Sequence, residues 1–263
     1  MVLWGDSVSS EFRLACGVRQ GGLTSPDLFN LYVNNLIEEL SGTGIGCHIG
    51  GVCFNNLSYA DDMVLLSPSI NGIRKLLHIC KEYARNHGLK YNVRKSEMVV
   101  FRAGKSPERI PSVLLDGTPV QVVEQFKYLG HMLSGSLSVD LDIEWERRSL
   151  AIRCNMLARR FARCSEDVKI TLFKAYCLSF YTSQLWISYT KRSFNTLRVQ
   201  YNDALRVLLK KARYCSASGM FADAGVSDFY AVLRKRIASF WEVVVNSNNK
   251  LLRVVAQASQ RIY

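Results

Sequence analysis

The chain has 263 residues and a mass of 29.8 kDa, enough for one large domain or two modest ones. Hydrophobic residues make up 48% of it with no low-complexity tract, which excludes a disordered or fibrous chain and calls for a buried core. The formal net charge of +12 argues against an acidic solvating role and favours an anionic partner.

That charge is uneven. Residues 1–136 hold 13 Lys or Arg against 12 Asp or Glu, whereas residues 137–263 hold 21 against 10. None of the eight cysteines forms a C-x-x-C pair or a tight Cys/His cluster, so no zinc site is expected. The start "MVLWGDSVSSEF" lacks the basic and apolar regions of a signal peptide. The expectation is an intracellular protein with reduced thiols, nuclear or cytoplasmic.

In chain order, "VLWGDSVSSEFRLACGV" predicts two short strands about a Gly-Asp turn. The glycine-paired loop "RQGGLTSP" then opens a helix, with Pro26 at a tolerated first-turn position. Leu28, Tyr32, Leu36 and Leu40 recur at spacing four beside Phe29, Val33 and Ile37, which predicts a wide buried stripe. "HIGGVCFNNLSYADDMVLL" reads as a strand and then a hairpin with Ala60, Asp61 and Asp62 at its tip. A second helix carries Ile73, Leu76, Leu77, Cys80 and Tyr83 on one face and stops at Gly88. "LKYNVRKSEMVVF" reads as loop into strand, and "VLLDGTPVQVVEQFKYLGHML" as a hairpin with a Gly-Thr-Pro turn. Past "SGSLS" the pattern turns helical, over roughly 140–164, 166–190, 193–213 and 228–247. The apolar run "ITLFKAYCLSFYTSQLWISYT" is interrupted by Lys174, Gln184 and six Ser or Thr residues, so an amphipathic helix is expected there and no membrane span.

The adjacent carboxylates of Asp61 and Asp62 sit between apolar strands, where an acidic turn is one reading and a cation site the other. Mg²⁺ takes hard oxygen ligands, commonly one or two carboxylates with substrate phosphates completing the shell. A pair of such ions activates an attacking hydroxyl and stabilises a leaving phosphate.

Four segments occur in order: "GVRQGGLTSPDLFN" (17–30), "YADD" (59–62), "GLKYNVRKSEMVVF" (88–101) and "FKYLG" (126–130). Together they resemble the B, C, D and E motifs of reverse transcriptases from non-LTR, LINE-type retrotransposons. The resemblance implies an α+β fold, a partial polymerase palm of antiparallel sheet and helices over 1–136. An all-helical basic thumb over 137–263 would follow it. The implied reaction is RNA-directed DNA polymerisation, adding a deoxynucleotide to a primer 3′-hydroxyl with two Mg²⁺ (or Mn²⁺) ions. Its partners are an RNA template, a DNA primer and deoxynucleotide triphosphates, with no membrane.

By the same resemblance Asp61 and Asp62 are the metal-binding, catalytic carboxylates, Asp62 the less demanding of the two. Tyr59 and Ala60 lie beneath the primer terminus, and Gln20 and Gly21 contact nucleotide and template. Lys95 matches the lysine suggested to donate a proton to pyrophosphate, and Tyr128, Leu129 and Gly130 match the primer grip. Beyond the motifs, Arg159, Arg160 and Arg163 near a helix end are candidate phosphate contacts, although cations also suit a helix C-terminus. The family's A-motif aspartate has no match here, since Asp6 and Glu11 fall in the hairpin before motif B. The expectation is the C-terminal part of a polymerase, inactive alone. A non-catalytic nucleic-acid-binding protein and a group II intron maturase-like protein are the alternatives.

Overall fold

The structure, a computed structural model, describes residues 3–11, 21–101 and 109–259. Strands β1 (Leu3–Trp4) and β2 (Ser7–Val8) precede helix α1 (Ser25–Gly42). Then come β3 (Cys47–Ile49), β4 (Val52–Phe54), β5 (Asn56–Tyr59), β6 (Asp62–Leu65) and α2 (Ile70–Asn86). Six short strands follow: β7 (Glu97–Met98), β8 (Leu114–Leu115), β9 (Thr118–Pro119), β10 (Gln121–Val122), β11 (Gln125–Tyr128) and β12 (His131–Ser134). The rest is helical: α3 (Asp140–Arg160), α4 (Glu166–Cys177), α5 (Lys191–Leu208), α6 (Ala217–Asp223), α7 (Phe229–Val245) and α8 (Lys250–Ser259). The α+β class holds. Among the described residues the strands pair two by two, five pairs antiparallel and β7–β10 parallel, and no larger sheet forms.

Two compact units result, each internally connected. The first comprises the described residues of 1–91 and 113–119, the second those of 92–112 and 120–263.

In the first unit, Leu36 and Leu40 of α1 meet Leu76, Cys80 and Tyr83 of α2, with Met63 and Leu65 of β6 packed on them. The expected α1 stripe is buried only toward its C-terminus: Val33, Leu36 and Leu40 are buried, while Leu28 and Tyr32 are exposed. The contacts of α2 and β5 with α1 favour that end, where Asn55, itself buried, donates to the carbonyl of Leu40. The helix therefore closes on a satisfied acceptor. Helix α2 ends as its sequence predicts. Gly88 takes φ +64°, and the Leu89 amide returns to the Ala84 carbonyl at 2.9 Å, a glycine-terminated C-cap. The stretch before "NNLSYADD" forms a full hairpin, β3–β4, about Gly50–Gly51, where the sequence suggested a single strand. Similarly, the expected Gly-Thr-Pro turn is Asp116–Gly117, with Thr118 and Pro119 already in β9.

The second unit has an aromatic centre. Tyr201 of α5 stacks on Phe221 and approaches Phe173, Phe180 and Phe229, and its hydroxyl donates to the Ser227 carbonyl at 2.7 Å. Helix α3 lies close to α5, with the Cys154 thiol donating to the Ala204 carbonyl. The long helix expected over 166–190 is not formed. Helix α4 stops at Cys177, because partners from elsewhere capture the next residues. Arg236 of α7 donates to the Leu178 carbonyl, and Arg153 of α3 bonds the Ser179 hydroxyl while pairing with the buried Glu146. The helices α6 and α8 were not anticipated either. No helix among the described residues is long and apolar enough to cross a membrane.

Asp142, in the first turn of α3, is 2% exposed and still charged. It accepts from the Met132 amide at 2.9 Å, from Trp186 Nε1 at 2.7 Å and from the Thr182 hydroxyl. His131 Nδ1 lies 3.1 Å from Oδ2 without the alignment of a hydrogen bond. Burial works against ionisation, but these contacts outweigh it and hold the carboxyl at about 2.

Asp142→Asn is expected to cost about 2–4 kcal/mol of stability near neutral pH, because its amide hydrogens would face donors. The native value lies below the ordinary one of 3.8, so the contribution is full above that value and fades as pH falls toward about 2. Denaturant titrations followed by tryptophan fluorescence should show the gap between parent and variant narrowing in acid. A gap independent of pH would mean that the aspartate contributes shape and not charge.

Candidate active site

The β5–β6 hairpin sets out the acidic pair. Its register aligns Leu57 with Val64 and Tyr59 with Asp62, leaving Ala60 and Asp61 as a two-residue loop. Side chains alternate along a strand, so with Met63 and Leu65 packed on the core, Asp62 falls on the opposite face. Tyr59, Ala60, Asp61 and Asp62 are all exposed. Neither carboxylate has a hydrogen bond or ion pair among the described residues. Ala60 has φ +52°, the left-handed backbone that a primed hairpin turn requires at its first loop position. A residue with a Cβ pays about 1 kcal/mol or more for that conformation, so the tip carries local strain.

The β11–β12 hairpin is built alike. Tyr128 pairs with His131 about the loop Leu129–Gly130, with φ of +46° and +87°. Tyr181 lies against the second of these residues: a Cβ added at Gly130 would stand 3.4 Å from its ring. On the same hairpin, Lys127 Nζ sits 4.7 Å from the centre of the Trp145 ring. Its orientation comes from Asp142, which grips the backbone of β12 at Met132.

Of the remaining candidates, Gly21 is exposed in a turn, and Gln20 lies outside the described residues. Lys95 is exposed in a short 3-10 turn whose amide is held by Asn92, and its ammonium group has no partner among the described residues. Arg159 and Arg160 occupy the last turn of α3 and Arg163 follows it, all exposed and without ion pairs among the described residues. Gly21 and residues 59–62 thus belong to the first unit. Lys95, Tyr128, Leu129, Gly130 and the three arginines belong to the second.

Sequence reading missed Asp142 and Tyr181. An acid in the first turn of a helix is so common that Asp142 gave no distinctive signal. Tyr181 falls where the apolar spacing predicts a helix, which ends instead at Cys177.

Residues 4–133 match the family described as reverse transcriptase (RNA-dependent DNA polymerase). Through these residues the chain belongs to that family. It is 24% identical to the RNA-directed DNA polymerase from mobile element jockey of Drosophila funebris, over 96% of this chain and 28% of that protein. It is 39% identical to the Pol polyprotein from the type-2 retrotransposable element R2DM of Drosophila melanogaster, over 35% of this chain and 9% of that protein. With the R2 polyprotein of Popillia japonica the figures are 32%, 48% and 20%. The domain is therefore a reverse transcriptase domain of a non-LTR retroelement. The chain spans about a quarter of the length of the jockey polymerases it matches.

Because Ala60 is strained, Ala60→Gly is expected to stabilise the first unit by about 0.5 kcal/mol, the relief slightly exceeding glycine's greater unfolded-state entropy. Thermal melting checks this, and destabilisation by a similar amount would show that the tip is not strained.

Proposed function

We propose that this chain contributes the YADD tip, the primer grip and the basic thumb to an RNA-directed DNA polymerase that extends a primer 3′-hydroxyl on an RNA template. The observation that carries this is the β5–β6 tip, which presents two exposed, unpartnered carboxylates within the matched segment. Reverse transcriptases generally use divalent metal ions. Among the described residues no cluster of three or more His, Cys, Asp or Glu could hold such an ion. Two adjacent carboxylates nevertheless suit one edge of a Mg²⁺ shell, since that ion keeps water and takes phosphate oxygens. When bound, the ions would lower the cost of the developing charge on the attacking and leaving oxygens.

The chain's own residues then have distinct tasks. Asp61, in the strained loop, and Asp62, at the start of β6, supply negative oxygens. Tyr59, opposite Asp62 on the exposed face, offers a ring beneath the primer end. Gln20 and Gly21 contact nucleotide and template, and Lys95 supplies a proton for the leaving pyrophosphate. Tyr128, Leu129 and Gly130 hold the primer backbone on a hairpin fixed by Asp142. Arg159, Arg160 and Arg163 meet backbone phosphates. Deoxynucleotide triphosphates are the substrates, with residues 1–136 in the role of palm and residues 137–263 in that of thumb, a division by role that differs from the two compact units.

Primer extension tests this reading, with residues 1–263 substituted for the matched segment of the jockey polymerase. Asp61→Asn should lower extension by about 100-fold or more, and Asp62→Asn by less. Undiminished extension by Asp61→Asn would overturn the assignment. By themselves, residues 1–263 should bind a primer–template duplex without extending it.

Duplex binding should weaken steeply with salt as cations leave the phosphates. Replacing Arg159, Arg160 and Arg163 together by Gln should reduce the slope of log K against log salt by about 3. An unchanged slope would make that cluster a solvated helix end.

A further inference from the structure

The second unit holds a cleft that none of the motifs accounts for. It lies where the segment after α4 meets the start of α5 and the middle of α7, and is lined by Trp186, Tyr189, Phe194, Tyr230, Arg234 and Ile237 among others. Its volume is about 190 Å³. That falls below the range of roughly 300–1,000 Å³ typical of whole small-molecule sites, so it admits a single ring system. Tyr189 and Phe194 form one wall as a near-parallel pair, with centroids 4.9 Å apart and planes 14° apart. Tyr230 faces Phe194 at 6.3 Å. Tyr189 and Tyr230 are each more than two-fifths exposed, so their rings are open to a ligand.

Charge identifies the occupant. Arg234 is exposed and has no partner among the described residues. Residues 183–237, which contain the whole lining, hold ten Lys or Arg and three Asp, with no Glu. Of the acids that meet the lining or its neighbours, Asp142 is occupied by Trp186 Nε1, the Thr182 hydroxyl and the Met132 amide. Asp140 is occupied by the amide and hydroxyl of Thr190, and Asp228 caps α7. An aromatic slot with a free guanidinium and a basic surround suits a planar ring joined to a phosphate. Stacking on aromatic side chains beside cations is how proteins hold unpaired bases.

We propose that this cleft binds one unpaired nucleobase of a single-stranded nucleic acid, stacked against Tyr189 and Tyr230, with Arg234 contacting its phosphate. The proposal rests on the nucleic-acid reading of the basic unit and adds a base-dependent site to it. Its position gives the strand an anchor that does not depend on pairing. Stacking is indifferent to sequence, so the anchor would hold any strand that leaves a base unpaired.

The test measures binding of residues 1–263 to two short single strands of equal length and charge, one of deoxyadenosines and one abasic. The parent should prefer the base-bearing strand by between about 5-fold and 100-fold. Tyr230→Ala should remove most of that preference without changing abasic binding, and Tyr230→Phe should retain it, because the ring stacks and the hydroxyl does not. Arg234→Gln should weaken both strands and reduce the salt slope by about 1. Circular dichroism matching the parent establishes that each variant is folded. If Tyr230→Ala keeps the full preference, the site is not here. Displacement of the strand by N-acetyltryptophanamide but not by adenosine monophosphate would assign the cleft to a protein side chain and overturn the proposal. Loss of the base preference in the parent, with salt-sensitive duplex binding intact, would remove this site and leave the polymerase reading standing. Loss of duplex binding as well would remove both.

Discussion

Asp142 is buried with its charge intact, and its two oxygens gather three groups from two stretches of chain, the β11–β12 hairpin and the segment after α4. One is the backbone of β12, another the hydroxyl of Thr182, the third the indole of Trp186. A carboxylate in such a place is tolerable only when nearly every lone pair is used, and removing one partner leaves the others facing an empty or wrong-signed site. The arrangement of the second unit follows from this requirement. The segment 178–190 bends to present Thr182 and Trp186, and the β11–β12 hairpin is drawn onto the first turn of α3. The same bend places Trp186 in the wall of the aromatic cleft. The hairpin and the cleft therefore share one fixed point.

The first unit solves a different problem. Its core is small, centred on Leu36, Leu40, Leu76, Cys80 and Tyr83, and most of α1 toward its N-terminus remains open. Polar links supplement the apolar contact: Asn55 closes the end of α1, and the Tyr83 hydroxyl donates to the Tyr32 carbonyl. Buried thiols and phenols here act as packing groups. Burial raises the Cys80 thiol to about 11 and raises Tyr91 as well, so neither ionises near neutral pH. Chemistry is left to the exposed face of the β5–β6 hairpin.

Much of this was legible in the residues. Helix α2 announced itself through Leu76, Cys80 and Tyr83 and through Gly88, because spacing and capping are local properties. The YADD hairpin was legible too, since a short loop between apolar strands needs no distant partner, although Asp62, expected at the tip, is already paired with Tyr59 in β6. The end of α4 was not. Its apolar spacing continues past Cys177, and only Arg236, Arg153 and Asp142 stop the helix, from positions tens of residues away. Hidden for the same reason, the aromatic cleft draws its lining from three separate segments that no spacing rule connects. The buried stripe expected along α1 was half right: periodicity names a face, but the length of that face that finds a partner depends on where α2 lies.

The register of the β5–β6 hairpin has a consequence for which changes it tolerates. Its loop holds two residues, and Tyr59 is fixed opposite Asp62. Because strand side chains alternate, adding or deleting one residue in the loop would rotate the whole of β6 by one position. Met63 and Leu65 would turn outward, and Asp62 would be driven toward Leu36 and Leu76. A side-chain substitution at the tip alters a single group, whereas a one-residue change in length inverts the strand. Loop length is thus the more stringent constraint on this turn.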